Sequence, residues 1–76
     1  MAQQAQLSFG EMVRTLRAEK GMTQLDLARK MGVTDKAVSK WERNLSIPDV
    51  ASLPKLAEEL GTSVDELLQA KTAAQE

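Results

Sequence analysis

The chain has 76 residues, of which 42% are hydrophobic, and this is enough for one small domain with a single core. It contains neither cysteine nor histidine, so the sequence predicts no disulfide, no metal site, no cofactor and no catalytic nucleophile–base pair. Residues 1–7 lack a basic segment and a long apolar run, so we expect no signal peptide and no contact with a membrane.

The net charge of −1 conceals an uneven distribution along the chain. Residues 14–43 contain eight basic and four acidic residues, whereas residues 44–76 contain two basic and six acidic residues. Such a separation orients the positive half toward an anionic partner. The acidic pairs in the second half are sequence neighbours, which do not face each other on a helix. We therefore expect a solvated surface there, and no enzyme.

The first predicted helix has apolar residues at positions 9, 12, 13 and 16, the spacing of a helix that packs on a core. Ser8 and Glu11 form a capping box at its start, and Gly21 ends it. Thr23 caps the second helix. Gly32 permits the left-handed conformation with which a tight helix end closes.

Thr34 caps a third helix that runs to about Arg43, and a turn-rich connector follows. The fourth helix has apolar residues at positions 53, 56, 57 and 60. Ser63 and Glu66 form a capping box for a short fifth helix.

The apolar patterns of the chain have helical spacing throughout, and none alternates with a period of two. The sequence therefore predicts an all-α fold of five short helices. The domain is expected to span residues 8–69, with flexible tails at residues 1–7 and 70–76.

The second and third predicted helices have the spacing of a helix-turn-helix, a motif in which the second helix is expected to enter the major groove of DNA while the first crosses the backbone. Ala28 lets the two helices approach, and Gly32 makes the turn between them. The apolar residues expected to fill the angle between the helices are Leu27, Met31, Val33, Val38 and Trp41. Because Trp41 follows Val38 on the core side, it is expected to be buried and not to stack on a base.

The segments RTLRAEKGMTQLDLARKMGVTDKAVSKWERN and IPDVASLPKLAEELGTSVDELL resemble the lambda-repressor-like, Cro-type phage-repressor (XRE-family) helix-turn-helix domains. The resemblance covers residues 9–68. It implies a compact five-helix domain that acts as a sequence-specific DNA-binding transcriptional regulator, most often a repressor. It also implies a cytoplasmic, nucleoid-associated location in a bacterium or its phage.

The same resemblance assigns roles to residues of this chain. The residues expected to contact base edges are Asp35, Lys36, Ser39 and Lys40. The residues expected to contact the DNA backbone are Thr23, Gln24, Arg43 and Asn44. Arg17 and Glu42 are expected to form a structural ion pair between the first and third helices.

The chain departs from the family pattern at two places. Leu25 stands where an exposed polar residue is commoner, and Lys36 and Lys40 stand where many relatives have glutamine. Lysine favours guanine O6 and N7 or a phosphate, so the resemblance does not predict which DNA bases this chain recognises. Without the resemblance, the lysine-bearing face would be an ordinary solvated surface.

A single domain with few cations binds DNA weakly, so a homodimer on double-stranded DNA with a palindromic operator is expected. One alternative is an antitoxin-type regulator that also binds a toxin protein through its acidic C-terminal half. Another is a protein-interaction module that uses the same fold.

Several apolar residues have two open interpretations. Leu45 and Ile47 either pack against Trp41 as anchors of the connector or, with Leu25, form exposed contacts for a partner. Leu67 and Leu68 are adjacent on one helix and do not both face inward easily, so one of them is a candidate for a dimer interface.

Overall fold

A computed structural model describes the chain over residues 7–75, and its side chains over residues 7–69. This part of the chain forms five α-helices and no strand, as the sequence predicts. The helices are α1 (Phe9–Glu19), α2 (Gln24–Met31), α3 (Asp35–Glu42), α4 (Leu53–Leu60) and α5 (Val64–Gln75). A 3₁₀ turn at Val50–Ser52 leads directly into α4. None of these helices is long and apolar enough to cross a membrane.

The predicted N-terminal caps of α1, α2 and α3 are present. The hydroxyl of Ser8 accepts from the backbone N–H of Glu11 at 3.1 Å, and the Glu11 carboxylate accepts from Ser8 in return at 3.0 Å. Thr23 forms the same reciprocal arrangement at the start of α2. Thr34 caps α3 by accepting from the backbone N–H of Ala37 at 3.1 Å. These bonds satisfy helix-end donors that would otherwise lack partners.

The start of α5 differs from the predicted capping box. Ser63 accepts from the backbone N–H of Glu66 at 3.1 Å, so the first half of the box is formed. The Glu66 carboxylate instead accepts from the hydroxyl of Thr62. Thr62 offers a nearby donor in the turn before the helix, and the box is therefore only half complete.

Helix α5 is also longer than the short helix predicted from the sequence. Its backbone remains helical to Gln75. Residues 70–75 include three alanines and neither glycine nor proline, so nothing in the sequence breaks the helix. The predicted N-terminal tail, apart from Leu7, lies outside the described residues.

The core lies where α1, the α2–α3 pair, α4 and α5 meet. Trp41 is buried, as expected, and so is Leu67, while its neighbour Leu68 is exposed. The buried apolar residues are Phe9, Val13, Leu27, Ala28, Val38, Trp41, Leu53, Leu56, Ala57, Leu60 and Leu67.

Three apolar residues that the sequence placed, or allowed, in the core are exposed in the structure. Val33 is exposed, so its predicted place in the angle between α2 and α3 is wrong. It follows Gly32 in the turn, where its N–H closes α2 by donating to Ala28 at 2.9 Å. Leu45 and Ile47 are also exposed and are not among the residues that pack on the core, so the structure disfavours a role as buried anchors on Trp41. The buried residue of this connector is Pro48.

Candidate nucleic-acid interface

The outward face of α3 carries three cationic side chains. Lys36, Lys40 and Arg43 stand four and then three residues apart, so they share one face of the helix. All three are exposed, whereas Val38 and Trp41 on the opposite side are buried. Because the core fixes one side of α3, the cationic side must point away from the domain.

No protein carboxylate neutralises this face within the described side chains. The ion pairs among the described side chains are Arg17–Glu42, Lys30–Glu59 and Lys55–Glu59. None of them involves a residue of the outward face of α3. Arg43 donates from Nε to the carbonyl oxygen of Ser39 at 3.4 Å, which leaves its terminal N–H groups available. The face can therefore offer several donors to an anionic partner.

The other two predicted base-contact residues flank this face. Asp35 is exposed in the first turn of α3, directly after the cap Thr34. Ser39 is half-buried, and its position lies between the cationic face and the core. The structure thus brings together Asp35, Lys36, Ser39 and Lys40 on one helix, and their contacts with bases stay a prediction.

Gln24 connects the start of α2 to the end of α3. Its side-chain Nε2 donates to Oε1 of Glu42 at 2.9 Å, which leaves one N–H and the carbonyl oxygen of the amide for another partner. Thr23, beside it, is exposed and uses its hydroxyl oxygen to accept from Asp26 at 3.0 Å. The geometry permits a phosphate contact by either residue, and the contact stays a prediction.

Asp26 adds a negative charge at this end of α2. Hydrogen bonds from the backbone N–H and then the hydroxyl of Thr23 lower the pKa of the Asp26 carboxyl, and the charges of Arg29 and Lys30 lower it further. The carboxylate is stabilised because the first turn of a helix has a positive potential. The Asp26 carboxylate therefore caps α2 and does not pair with the cationic residues of α3.

Glu42 is the centre of a charged cluster that joins three helices. Its side chain is only 4% exposed and accepts from Arg17 and Gln24. Arg17 also donates from Nη1 to the carbonyl oxygen of Met22 at 2.8 Å. The predicted Arg17–Glu42 pair is therefore present, and it holds α3 against α1 and the start of α2.

Asn44 holds the connector after α3 against α1. Its Oδ1 accepts from the backbone N–H of Gly10 at 2.9 Å, and its Nδ2 donates to the hydroxyl of Ser8 at 3.0 Å. Its φ of 62° is in the left-handed region, which asparagine tolerates better than most residues. This structural role was not anticipated, although an asparagine directly after a helix is a known pattern at helix ends.

Gly10 allows this close approach, and its importance was also missed. A Cβ at this position would lie 2.5 Å from the backbone carbonyl oxygens of both Trp41 and Glu42. The start of α1 therefore packs directly on the backbone at the end of α3. The sequence offers only a glycine in the first turn of a helix, which does not identify the partner.

A family model described as helix-turn-helix matches residues 13–67. The chain belongs to the helix-turn-helix family. The family match and the five-helix architecture confirm the resemblance to lambda-repressor-like domains.

Two curated helix-turn-helix relatives match most of this chain. The transcriptional activator BcrR of Enterococcus faecalis is 36% identical over 62 residues, which cover 82% of this chain and 30% of BcrR. YonR of Bacillus subtilis (strain 168), an SPbeta prophage-derived uncharacterized HTH-type transcriptional regulator, is 38% identical over 61 residues, which cover 80% of this chain and 56% of YonR. The chain therefore spans less than two thirds of either relative.

A solved helix-turn-helix structure matches nearly end to end. It is the P22 c2 repressor in complex with the synthetic operator 9T, with a TM-score of 0.79 and 35% identity. The match covers 87% of this chain and 98% of the P22 c2 chain. The fold described above is thus similar, over most of its length, to that of the P22 c2 repressor chain.

Proposed function

We propose that this chain is a sequence-specific DNA-binding transcriptional regulator, of the repressor type, that inserts α3 into the major groove. The observation that carries the proposal is the outward face of α3, where Lys36, Lys40 and Arg43 are exposed without a carboxylate partner among the described side chains. Counterion release by such cations provides much of the free energy of protein–DNA binding.

In this mechanism, Lys36, Ser39 and Lys40 contact base edges, and Asp35 offers an acceptor to an exocyclic amine. Contacts from Thr23, Gln24, Arg43 and Asn44 to phosphates set the register of the helix, and base contacts provide the specificity. Support comes from the Gln24–Glu42 hydrogen bond, because it ties a predicted phosphate-contact residue to the helix that would enter the groove.

The working form is a homodimer on a palindromic operator, with half-sites roughly 34–36 Å apart. The repressor assignment is supported by the likeness to the P22 c2 repressor, which was solved in complex with the synthetic operator 9T. BcrR is named an activator, so the direction of regulation is part of the proposal. We place the regulator at the nucleoid, in the cytoplasm.

The test is selection of duplex sites from random DNA, followed by affinity measurements across a salt series. We expect an enriched palindrome and an affinity that falls steeply with salt, because each neutralised phosphate adds about −0.9 to the logarithmic slope. A shuffled duplex is the control. The opposite result would be that no site is enriched and that the acidic surface of α4 and α5 captures a protein. That result would favour the protein-interaction alternative or the antitoxin-type regulator.

A further inference from the structure

One flank of α1 faces the end of α3. A Cβ on Gly10 would lie 2.5 Å from the backbone carbonyl oxygens of Trp41 and Glu42, so this position points directly at α3. Arg17, further along α1, reaches the carboxylate of Glu42. Residues three and four apart on a helix are neighbours on its surface. Arg14 stands four residues after Gly10 and three before Arg17, so it lies on the same flank.

The two arginines of this flank have different surroundings. The charge of Arg17 is neutralised by the buried carboxylate of Glu42. Arg14 is exposed and takes part in none of the ion pairs among the described side chains. The acidic residue one turn before it, Glu11, accepts a hydrogen bond from the backbone N–H of Ser8 at 3.0 Å. Arg14 is therefore the residue that gives this flank of α1 its positive charge.

The connector after α3 brings two predicted phosphate contacts to the same flank. Asn44 accepts from the backbone N–H of Gly10 at 2.9 Å and donates to the hydroxyl of Ser8 at 3.0 Å, so one N–H of its amide is left for DNA. Arg43, directly before it, is exposed at the end of the cationic face of α3. Arg14 lies only one helical turn beyond Gly10, a rise of about 6 Å. It therefore extends the cationic face of α3 onto α1.

We propose that Arg14 binds a phosphate of the DNA backbone, so that α1 adds a contact to those of α2 and α3. The inference rests on the function proposed above and extends it to a residue outside the helix-turn-helix. A guanidinium on a long apolar stem reaches beyond the surface of its helix and binds a phosphate through two parallel N–H groups. Because phosphates are alike in every sequence, Arg14 increases affinity without selecting bases.

The experiment compares wild type with Arg14→Gln, Arg14→Lys and the matched control Arg29→Gln. Arg29 is also exposed and takes part in none of the ion pairs among the described side chains. It lies in the last turn of α2, whereas the predicted phosphate contacts lie at the start of that helix. Both glutamine variants lose one positive charge, so their comparison separates a local contact from the overall field of the protein.

Affinity is measured by fluorescence anisotropy on a selected and a shuffled duplex across a salt series. Arg14→Gln should lose about three- to tenfold in affinity for both duplexes, and its logarithmic salt slope should fall by about 0.9 for each bound copy. Arg14→Lys, which keeps the charge, and Arg29→Gln should stay within about twofold of wild type. Ethylation interference on the selected duplex should lose one sensitive phosphate for each half-site in Arg14→Gln alone.

Three outcomes would overturn the role of Arg14 and leave the proposed function in place. The first is an equal loss of affinity in Arg14→Gln and Arg29→Gln, which would show an effect of overall charge only. The second is a loss confined to the selected duplex, which would assign Arg14 to base readout. The third is a lower urea-unfolding free energy of Arg14→Gln with an unchanged ethylation pattern, which would make Arg14 structural. If wild type binds neither duplex, the proposed function and this role of Arg14 both fail.

Discussion

The guanidinium of Arg17 holds the carboxylate of Glu42 through two hydrogen bonds, from Nε to Oε2 at 2.5 Å and from Nη2 to Oε1 at 3.1 Å. Gln24 donates to the same carboxylate, so α1, α2 and α3 meet at one buried charge. The orientation of α3, and with it the direction of its cationic face, depends on this cluster.

Removing one member of the buried pair should destabilise the fold strongly. Arg17→Met leaves the Glu42 carboxylate buried with only Gln24 as a side-chain partner, and such losses cost about 3–5 kcal/mol. Urea denaturation measures the free energy of unfolding. The control is Lys55→Met, which breaks the exposed Lys55–Glu59 pair and should cost less than about 1 kcal/mol. An equal loss of unfolding free energy in the two variants would show that the Arg17–Glu42 pair stabilises the fold no more than an exposed pair does.

Gly10 and Gly21 should respond very differently to alanine. Gly10→Ala places a Cβ against the backbone of Trp41 and Glu42, which cannot move without shifting α3, and we expect a loss of about 3 kcal/mol. Gly21→Ala meets no atom within 4 Å and is penalised only by its φ of +71°, at about 1 kcal/mol. Thermal unfolding of both variants tests the order, and a larger loss for Gly21→Ala would contradict the packing described here.

The cap at the start of α2 predicts part of the acid sensitivity of the protein. The pKa of the Asp26 carboxyl is lowered in the folded state, so its contribution to stability is present above its ordinary value of 3.8 and is lost as the pH falls through the folded-state pKa. The stability difference between wild type and Asp26→Asn should therefore shrink as the pH falls from about 5 to about 2. Urea unfolding at several pH values measures it, and a difference that is independent of pH would refute the assignment.

The local features of the fold were predictable because their signals are local in the sequence. Thr23 and Thr34 cap the helices that follow them, and Gly32 has a φ of 72° at the end of α2. The Arg17–Glu42 pair was found through the family resemblance, since nothing in the spacing of the two residues requires it.

Contacts between distant residues were not predictable in the same way. Asn44 bonds to Gly10 across 34 positions, and no local pattern encodes that bond. Leu45 and Ile47 are as apolar as core residues, yet the connector buries Pro48 instead. Burial in a loop depends on where the chain turns, which hydrophobic periodicity does not report.

The cationic face of α3 is proposed to bind DNA. The most direct test is the DNA affinity of variants that lack a single lysine of this face. Lys36→Ala and Lys40→Ala are compared with Lys55→Ala, which removes an exposed lysine from α4. The readout is fluorescence anisotropy on a selected duplex at fixed salt, with folding checked by urea denaturation. We predict that each α3 substitution costs about 1–3 kcal/mol of binding free energy and that Lys55→Ala leaves the affinity unchanged. Unchanged affinity in both α3 variants would contradict the assignment of α3 as the recognition helix.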